Sequence, residues 1–599
     1  MIKERNEIDP KYKWDLSVLY PTEADFEAEY ESVASRIRAL GAYEETLTES
    51  AKTLTCALDE QYAVGALLGK LWRYASLSYS VNTADVDAQA KQTRVRNLYV
   101  LLGEMTWYFG TRIRALSPEE VAAFVKEYPP LSAYERVLYR YMRFRPHALG
   151  GEEEKLLSEM ADALDTHEGI YSLLTNADLR YGSIRGEDGK HAELSPANYV
   201  VFMKSPDRRV RRAAFRTMYR TVGQFANTIS ALYEARVKEE TVDARIRKYP
   251  DSITASTDRD EVTPVIYNNL IESVHRALPA LYDYYELKRE VLGLKKLHLY
   301  DIYTPLVTAC DRTYTYEEAV GEVLTTVRVL GEEYEGVLRE GLCERGWVDV
   351  YPSRGKRNGA FSASGRLTEP YILMNFNGSF DSVSTLAHEA GHSMHSWYSR
   401  RANPAQTDGT AIFIAEVAST VNELLLVHRR LAESTSREEK LMLLNEMMET
   451  YKGTLFRQTM FAEFERDAHA MCEAGDALTK DALCQHYYEL NRLYFGEGVV
   501  CDEEIAYEWT RIPHFYNCFY VYKYATCISA ASAIVKRIES EGAPYVKKYL
   551  DFLASGDSRA PLDCLRLAEI DLAKPEVIES AIEDFRAAVA QMRALLSEA

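Results

Sequence analysis

Residues 385–394, TLAHEAGHSM, place two histidines four residues apart, with a glutamate directly after the first. No proline interrupts the surrounding stretch 380–398, and Asp381 or Ser382 can cap its start, so the pattern predicts a helix. Residues four apart lie on one face of a helix, about 6 Å apart along its axis, so His388 and His392 can bind one cation. The spacing therefore indicates a zinc site.

Glu389 follows the first of these histidines, so it can reach a water molecule at the metal without binding the metal itself. We therefore expect Glu389 to act as the general base of a hydrolase. The alternative is an ordinary helix that carries two histidines by coincidence. A third ligand separates the two interpretations, because catalytic zinc takes three protein ligands and leaves one position open.

The third ligand is predicted to be Glu416, in AIFIAEVASTVNELLLV at 411–427. A carboxylate among so many apolar residues should not be buried without a compensating charge, which zinc supplies. Glu423, seven residues later on the same face, is predicted to accept a hydrogen bond from a ligating imidazole. The alternative is that both carboxylates face the solvent.

His395 also returns to the helical face of His388, seven residues further along. These two residues are separated by about 10 Å of helix axis, too far to share one ion through bonds of about 2 Å. We therefore expect His395 to lie beside the metal ligands or to face the substrate.

The rest of the chain is predicted to be mainly helical. The stretch 21–41 has apolar residues at helical spacing with Thr22 as its cap, and Ser117 followed by Pro118 opens another helix. Asp188-Gly189 predicts a two-residue hairpin turn and a seam near residue 200. The expected domains are 1–200, helical with a terminal β-hairpin, and 201–599, helical and catalytic.

The Gly- and Pro-rich residues 346–379, with their β-branched runs, predict a small sheet directly before the histidine helix. Within it, PYILMNFNG (370–378) is either an edge strand that pairs with a substrate backbone or a buried strand that covers the helix. The basic loop RGKRNGAFS (354–362) either meets a substrate carboxylate, moves as a lid, or is a solvated turn.

Composition excludes several classes of protein. The chain has 599 residues, of which 47% are hydrophobic and 27% charged, which is typical of a soluble globular protein. A net charge of -20 argues against a nucleic-acid partner. No apolar run reaches the ~20 residues of a membrane span, and the start has no apolar segment, so we expect a cytoplasmic protein. Nine scattered cysteines without a CxxC pair predict neither a disulfide framework nor a cysteine zinc site.

Seven segments, taken in order, resemble oligoendopeptidase F, within the thimet-oligopeptidase-like zinc metallopeptidases. They are KWDLSVLYP (13–21), GEDGKHAELS (186–195), LHLYDIYTPL (297–306), RGKRNGAFS (354–362), HEAGHSMHSW (388–397), FIAEVASTVNE (413–423) and RIPHFYNCFYVYKYATC (511–527). The resemblance covers nearly the whole chain. It implies a mainly α-helical body with a small sheet beside a deep substrate channel, and one zinc ion held by His388, His392 and Glu416.

The resemblance also implies that a downstream histidine and a set of tyrosines contact the tetrahedral intermediate. Here these residues are His514, Tyr516, Tyr520, Tyr522 and Tyr524. The spacing aligns Tyr522 with the tyrosine at the oxyanion, whereas a shift of two residues selects Tyr520 or Tyr524. We expect His514, Tyr522 and Tyr520 to be catalytic and Tyr516 and Tyr524 to bind substrate, since phenol and imidazole donors can stabilise an oxyanion.

The predicted function is therefore that of a zinc-dependent endopeptidase, which cleaves internal bonds of short oligopeptides through metal-activated water with Glu389 as the base. The alternative is a non-catalytic helical peptide-binding protein in which the zinc is structural. The open coordination position and the intact glutamate favour the enzyme. The oligomeric state is not predicted.

Overall fold

The computed structural model describes residues 3–164, 166–307 and 312–598. In this part of the chain α-helices predominate and the strands are short, so the prediction of a mainly α-helical protein is confirmed. The strands are β1 (Ser183–Arg185), β2 (His191–Glu193), β3 (Leu297–His298), β4 (Val348–Asp349), β5 (Phe361–Gly365), β6 (Thr368–Leu373) and β7 (Val499–Val500). Among the described residues, no helix combines the length and the apolar character that crossing a membrane requires.

Most of the helices follow one another with short connections, and the longest stretch between two of them, 344–379, contains the small sheet. The first eight are α1 (Glu23–Leu40), α2 (Ala51–Val81), α3 (Val86–Ala115), α4 (Pro118–Glu127), α5 (Glu135–Arg143), α6 (Gly151–Leu164), α7 (His167–Leu173) and α8 (Pro196–Met203). The next eight are α9 (Arg208–Gly223), α10 (Ala226–Ile246), α11 (Ser252–Arg259), α12 (Pro264–Val291), α13 (Tyr316–Val327), α14 (Glu332–Cys343), α15 (Phe380–Ala402) and α16 (Ala415–Glu433). The last seven are α17 (Arg437–Tyr451), α18 (Arg457–Ala474), α19 (Lys480–Phe495), α20 (Tyr522–Glu541), α21 (Ala543–Leu553), α22 (Pro561–Leu567) and α23 (Pro575–Ser597).

The chain forms two compact units, and each is built from three segments. Unit 1 consists of Met1–Ala148, Arg312–Arg429 and Ile534–Ile570, and unit 2 of Leu149–Asp311, Arg430–Ala533 and Asp571–Ala599. The expected seam near residue 200 lies inside unit 2, so these units divide the chain differently from the domains 1–200 and 201–599. The domain ranges 1–200 and 201–599 stay a prediction.

A hydrophobic core in unit 1 explains why distant segments belong together. Trp14, Phe26 and Leu71 pack in one buried cluster with Tyr371 and Leu373, which lie in β6. Apolar burial is not directional and takes no account of distance along the sequence, so a compact unit need not coincide with one stretch of chain.

Two of the predicted helix starts are confirmed. The Thr22 hydroxyl accepts a hydrogen bond from the backbone of Asp25, and the carboxylate of Asp25 accepts one in return from the backbone of Thr22. Ser117 and Glu120 make the same reciprocal pair at the start of α4, with Pro118 as the first helical residue. Each capping box satisfies two backbone N–H groups that the first turn leaves without a partner.

The predicted hairpin is present in unit 2, but its loop is longer than expected. In β1 and β2, Ile184 lies opposite Ala192, and Gly186 N donates to Lys190 O at 2.9 Å. Three residues, 187–189, therefore form the loop instead of two. Gly189 has a φ of +75°, which is the left-handed conformation that closes a three-residue hairpin loop.

The predicted small sheet lies in unit 1 in the order β4-β6-β5. β6 pairs in parallel with β4 and antiparallel with β5, so it is the central strand. Residues 370–373 are therefore not an edge strand, and for this part of 370–378 the interpretation as an edge strand for substrate is wrong. The Ser362 and Ser393 hydroxyl oxygens are 2.9 Å apart and join β5 to α15, so the sheet supports the histidine helix.

The basic loop 354–362 contains a buried ion pair. Lys356 Nζ lies 2.7 Å from Asp349 Oδ1, and Arg5 Nη2 lies 2.6 Å from Asp349 Oδ2. The Lys356 side chain is fully buried, so at this residue the loop is not a solvated turn. The positive charge of Lys356 is balanced by Asp349, so it is not available to a substrate carboxylate.

Asp349→Asn is expected to destabilise the protein by about 3–5 kcal/mol, because it leaves the buried Lys356 charge uncompensated. Burial raises the pKa of Asp349, but the hydrogen bond from Arg5 and the charge of Lys356 lower it further, to below its usual value. Because the pKa of Asp349 is lower in the folded protein than in the unfolded chain, where it is about 3.9, its ionised form stabilises the fold above that pH. This stabilisation is lost as the pH falls through the pKa of Asp349 in the folded protein. Urea unfolding of the wild type and of Asp349→Asn should show this difference in the free energy of unfolding at pH 7 and a smaller difference near pH 3. An equal difference at both would contradict this assignment.

Candidate metal centre and active-site residues

The histidine helix α15 begins slightly earlier than expected. The Ser379 hydroxyl accepts a hydrogen bond from Ser382 N, so Ser379 is the cap and Phe380 the first helical residue. The prediction of Asp381 or Ser382 as the cap is therefore wrong. The helix continues to Ala402 without a break, which places His388 and His392 on one face.

Three side chains converge in unit 1, among them both of these histidines. His388 Nε2 and His392 Nε2 are 3.1 Å apart, and each lies 3.3 Å from Glu416 Oε2. Tetrahedral zinc with bonds of about 2.0–2.1 Å holds neighbouring ligand atoms about 3.3 Å from one another. Among the described residues this is the one trio of His, Cys, Asp or Glu with such spacing. Two imidazoles and a carboxylate at these distances fit a zinc ion.

The close approach of α15 and α16 brings Glu416 to the histidines. A Cβ atom on Gly391 would lie 2.6 Å from both Ala418 O and Ser419 Cα, so only glycine allows the two backbones to approach so closely. The Glu416 side chain is 39% exposed, so it is partly buried and less enclosed than its apolar neighbours in the sequence predicted. Helix packing, not an apolar environment, accounts for its position.

Gly391→Ala is expected to destabilise the protein by about 1–3 kcal/mol, because the added methyl group must push the backbone of α16 away. The same displacement should weaken metal binding. Gly321→Ala in α13 is the matched control, since a Cβ atom there meets no neighbouring atom within 4 Å. Urea unfolding and metal analysis check both variants. Equal stability of the two would contradict the close approach.

Two residues of α16 that the sequence analysis did not single out orient this centre. Ser419 Oγ donates to Glu416 Oε2 at 3.1 Å. Asn422 Nδ2 donates to Ala387 O at 3.1 Å, and Tyr334 OH donates to Asn422 Oδ1 at 3.2 Å. Ser419 follows Glu416 by three residues, so helical spacing alone could have identified it. Asn422 required knowledge of which helix packs against α16.

Glu423 contacts the other nitrogen of a candidate ligand. Its Oε1 lies 3.2 Å from His388 Nδ1. This leaves His388 Nε2 facing the other two candidate ligand atoms, on His392 and Glu416. Burial lowers the pKa of His388, but the hydrogen bonds with Glu416 and Glu423 raise it more, to well above its usual value. A carboxylate that accepts from the distal N–H orients a ligating histidine and increases its basicity. The contact supports the role predicted for Glu423.

Glu389 is only 5% exposed, and its Oε2 has no hydrogen-bond partner among the described protein atoms. Burial raises the pKa of Glu389, the nearby histidines lower it, and the result lies above the usual value. A general base is most effective when its pKa approaches the working pH. The carboxylate thus has an oxygen available to accept a proton.

His395 is not part of the trio, in agreement with the distance argument along the helix. It is buried, and its ring centroid lies 5.3 Å from that of Phe552. Burial lowers the pKa of His395 to about 3, so the ring is neutral at ordinary pH. Its burial argues against a substrate-facing position, and its role beside the ligands stays a prediction.

In unit 2, three of the downstream residues form an aromatic cluster. The ring centroids of His514 and Tyr520 are 6.4 Å apart with planes inclined by 12°. Tyr524 lies 6.1 Å from His514 and 5.3 Å from Tyr520. All three side chains are at least partly exposed, so their polar atoms can meet a ligand.

The other two tyrosines are packing residues in this structure. Tyr516 is buried and stacks on Tyr171, with centroids 4.5 Å apart. Tyr522 is fully buried, with its centroid 4.7 Å from that of Tyr267. The catalytic role expected of Tyr522 and the substrate contact expected of Tyr516 stay predictions, and burial argues against both.

Comparison with known proteins now adds to the geometry. The family model described as Peptidase family M3 matches residues 201–584. The chain belongs to this family. A second model, described as Oligopeptidase F, matches residues 112–181. This M3 chain is therefore a peptidase, and its substrates are peptides. The family implies a bound metal, and the trio fits one. The alternative of a non-catalytic binding protein is thereby set aside.

Several relatives match this peptidase over nearly their full length. Oligopeptidase PepF of Bacillus subtilis is 39% identical, over 99% of this chain and 89% of its own. A Chlamydophila abortus protein of known structure has a TM-score of 0.92 at 32% identity, covering 99% of this chain and 100% of its own. Oligoendopeptidase-F from Enterococcus faecium has a TM-score of 0.76 at 30% identity, covering 96% and 100%. The resemblance to oligoendopeptidase F is confirmed.

Proposed function

We propose that this M3 peptidase is a zinc-dependent endopeptidase, with one zinc ion per chain, that hydrolyses internal bonds of short oligopeptides. The observation that carries the proposal is the trio of ligand atoms within 3.1–3.3 Å of one another. Glu389, which directly follows His388 in the sequence, is buried and has an oxygen available to accept a proton. The names of the Bacillus subtilis and Enterococcus faecium relatives support oligopeptides as the substrate class.

In this proposal His388, His392 and Glu416 hold the ion. When bound, zinc supplies a Lewis acid that polarises the scissile carbonyl and lowers the pKa of water. Glu389 Oε2 accepts the proton of the attacking water molecule and then delivers it to the departing amine. Glu423 keeps His388 oriented through Nδ1. No covalent bond between enzyme and substrate is needed.

We also propose that His514, Tyr520 and Tyr524 donate hydrogen bonds to the substrate oxyanion or backbone. The family motif, the partial exposure of these side chains and their N–H and O–H donors support this part. The full burial of Tyr522 favours Tyr520 as the catalytic tyrosine. The deep channel implied by the resemblance stays a prediction.

Removal of the metal is expected to abolish hydrolysis of a quenched-fluorescent peptide. In this scheme the nucleophile is a water molecule that the metal activates, and no side chain of the protein attacks the peptide bond. Addition of one equivalent of zinc should restore hydrolysis.

A mixture of peptides of graded length, analysed by mass spectrometry, should show internal cuts in short peptides and none in a folded protein. Full turnover in the presence of chelator would contradict the zinc dependence, and release of single terminal residues would contradict the endopeptidase assignment.

A further inference from the structure

The loop 512–521 in unit 2 contains a residue in an unusual backbone conformation. Phe519 has a φ of +57°, in the left-handed region that bulky side chains rarely adopt. Its side chain is buried. Such an outlier persists only where the surrounding structure holds it, and it often occurs at functional positions.

A buried carboxyl group holds the backbone at this point. Phe519 N donates to Glu465 Oε1 at 2.6 Å. Glu465 lies in α18 and is 0% exposed, and its Oε2 has no hydrogen-bond partner among the described protein atoms. Burial raises the pKa of Glu465 well above its usual value, which favours the neutral acid. No step of the proposed reaction uses this carboxyl group.

Neighbouring aromatic rings enclose the Phe519 side chain. His469, one turn after Glu465 in α18, has its ring centroid 4.4 Å from that of Phe519. Tyr267 lies 5.8 Å away on centroids, and its hydroxyl donates to Ala462 O at 2.6 Å. Ala462, Glu465 and His469 are three and four residues apart, so one face of α18 supports the loop.

The consequence concerns the next residue. Tyr520 directly follows the left-handed Phe519, and its ring lies against His514 and Tyr524. A change of φ at Phe519 would reorient Tyr520, because each backbone dihedral sets the direction of the chain after it. We propose that Glu465 is a positioning residue, which through the Phe519 N–H holds Tyr520 beside His514 in the orientation that peptide hydrolysis uses. This inference rests on the function proposed above for Tyr520.

The test compares two variants of nearly equal volume. Glu465→Met removes the acceptor, and misplacement of Tyr520 is expected to lower kcat by about 10- to 100-fold with KM changed less than about twofold. Glu465→Gln keeps a neutral acceptor and should restore kcat to within about twofold of the wild type. Zinc content should equal one per chain in both. A Glu465→Met enzyme with wild-type kcat would overturn the inference.

A double-mutant cycle separates positioning from a general structural effect. Tyr520→Phe alone should lower kcat, and Glu465→Met in the Tyr520→Phe background should cause little further loss, because both act on one group. Losses that multiply would overturn the inference. Wild-type turnover of Tyr520→Phe, with Glu389→Gln inactive, would remove Tyr520 from the reaction and the inference with it. A slow Tyr520→Phe together with an unaffected Glu465→Met would overturn the role of Glu465 alone.

Hydrogen exchange of the wild-type enzyme provides a test that does not depend on the variant folding. Asn517, an exposed residue of the same loop, donates its amide to the backbone oxygen of His514 at 2.9 Å. The Phe519 amide should exchange far more slowly than the Asn517 amide, since its proton is held by a buried carboxyl group. Similar exchange rates at the two amides would contradict the bond on which the inference depends.

Discussion

Glu389→Gln is expected to lower kcat for peptide hydrolysis by about 10²–10⁴-fold, the usual contribution of general acid–base catalysis. The amide has nearly the size of the carboxylate, but it cannot take the proton of the attacking water molecule. Glu389 is not among the trio that fits the metal, so the variant should keep one zinc per chain. Loss of activity without loss of metal is the signature of a base.

The measurement is the turnover of a quenched-fluorescent peptide alongside metal analysis of the same sample. Glu433→Gln, at an exposed position near the end of α16, controls for the loss of a carboxylate elsewhere in the protein and should leave kcat unchanged. If Glu389→Gln retains more than about a tenth of wild-type turnover, Glu389 is not the base.

Glu416→Ala is expected to reduce zinc affinity by more than about 100-fold. Loss of a residue that only orients a ligand already costs about 10- to 100-fold, and loss of a ligand should exceed that. Two imidazoles 3.1 Å apart would remain on α15, which is an incomplete set for a catalytic zinc site. Peptide hydrolysis should fall with the metal content.

Zinc titration against a competing chelator measures this affinity directly, without reference to activity. Glu423→Gln is the graded comparison, with an expected loss of about 10- to 100-fold, because Glu423 contacts Nδ1 of His388. Thermal unfolding of the metal-free proteins checks that each variant is folded. Unchanged zinc affinity in Glu416→Ala would remove this residue from the metal centre.

Much of the site was predictable because its key spacings are local. His388, Glu389 and His392 lie on one helix, where four residues make about one turn regardless of what packs around it. The helix starts at Thr22 and Ser117 were equally readable, since a capping box closes within four residues. Glu416 was predicted as the third ligand from an expectation of burial, whereas the structure places it beside the histidines with its side chain only partly buried.

Other features depended on contacts between different segments of the chain. The central position of β6 results from its pairing with β4 on one side and β5 on the other. Lys356 appeared in a basic loop of the sequence, yet Asp349 neutralises it in a buried pair. The tyrosines alternate along one short stretch, and only packing on Tyr267 distinguishes the buried Tyr522 from the partly exposed Tyr520.

By itself, the sequence determined the helical class, the candidate metal-binding pair, the candidate base and the family, because each follows from short-range spacing or from ordered motifs. Tertiary structure decided how Gly391 lets α16 bring Glu416 to the histidines, and how Glu465 holds the backbone beside Tyr520. Both are contacts between different elements: two helices in the first case, and a helix and a loop in the second. Their existence depends on close packing in three dimensions, which residue spacing along one element does not encode.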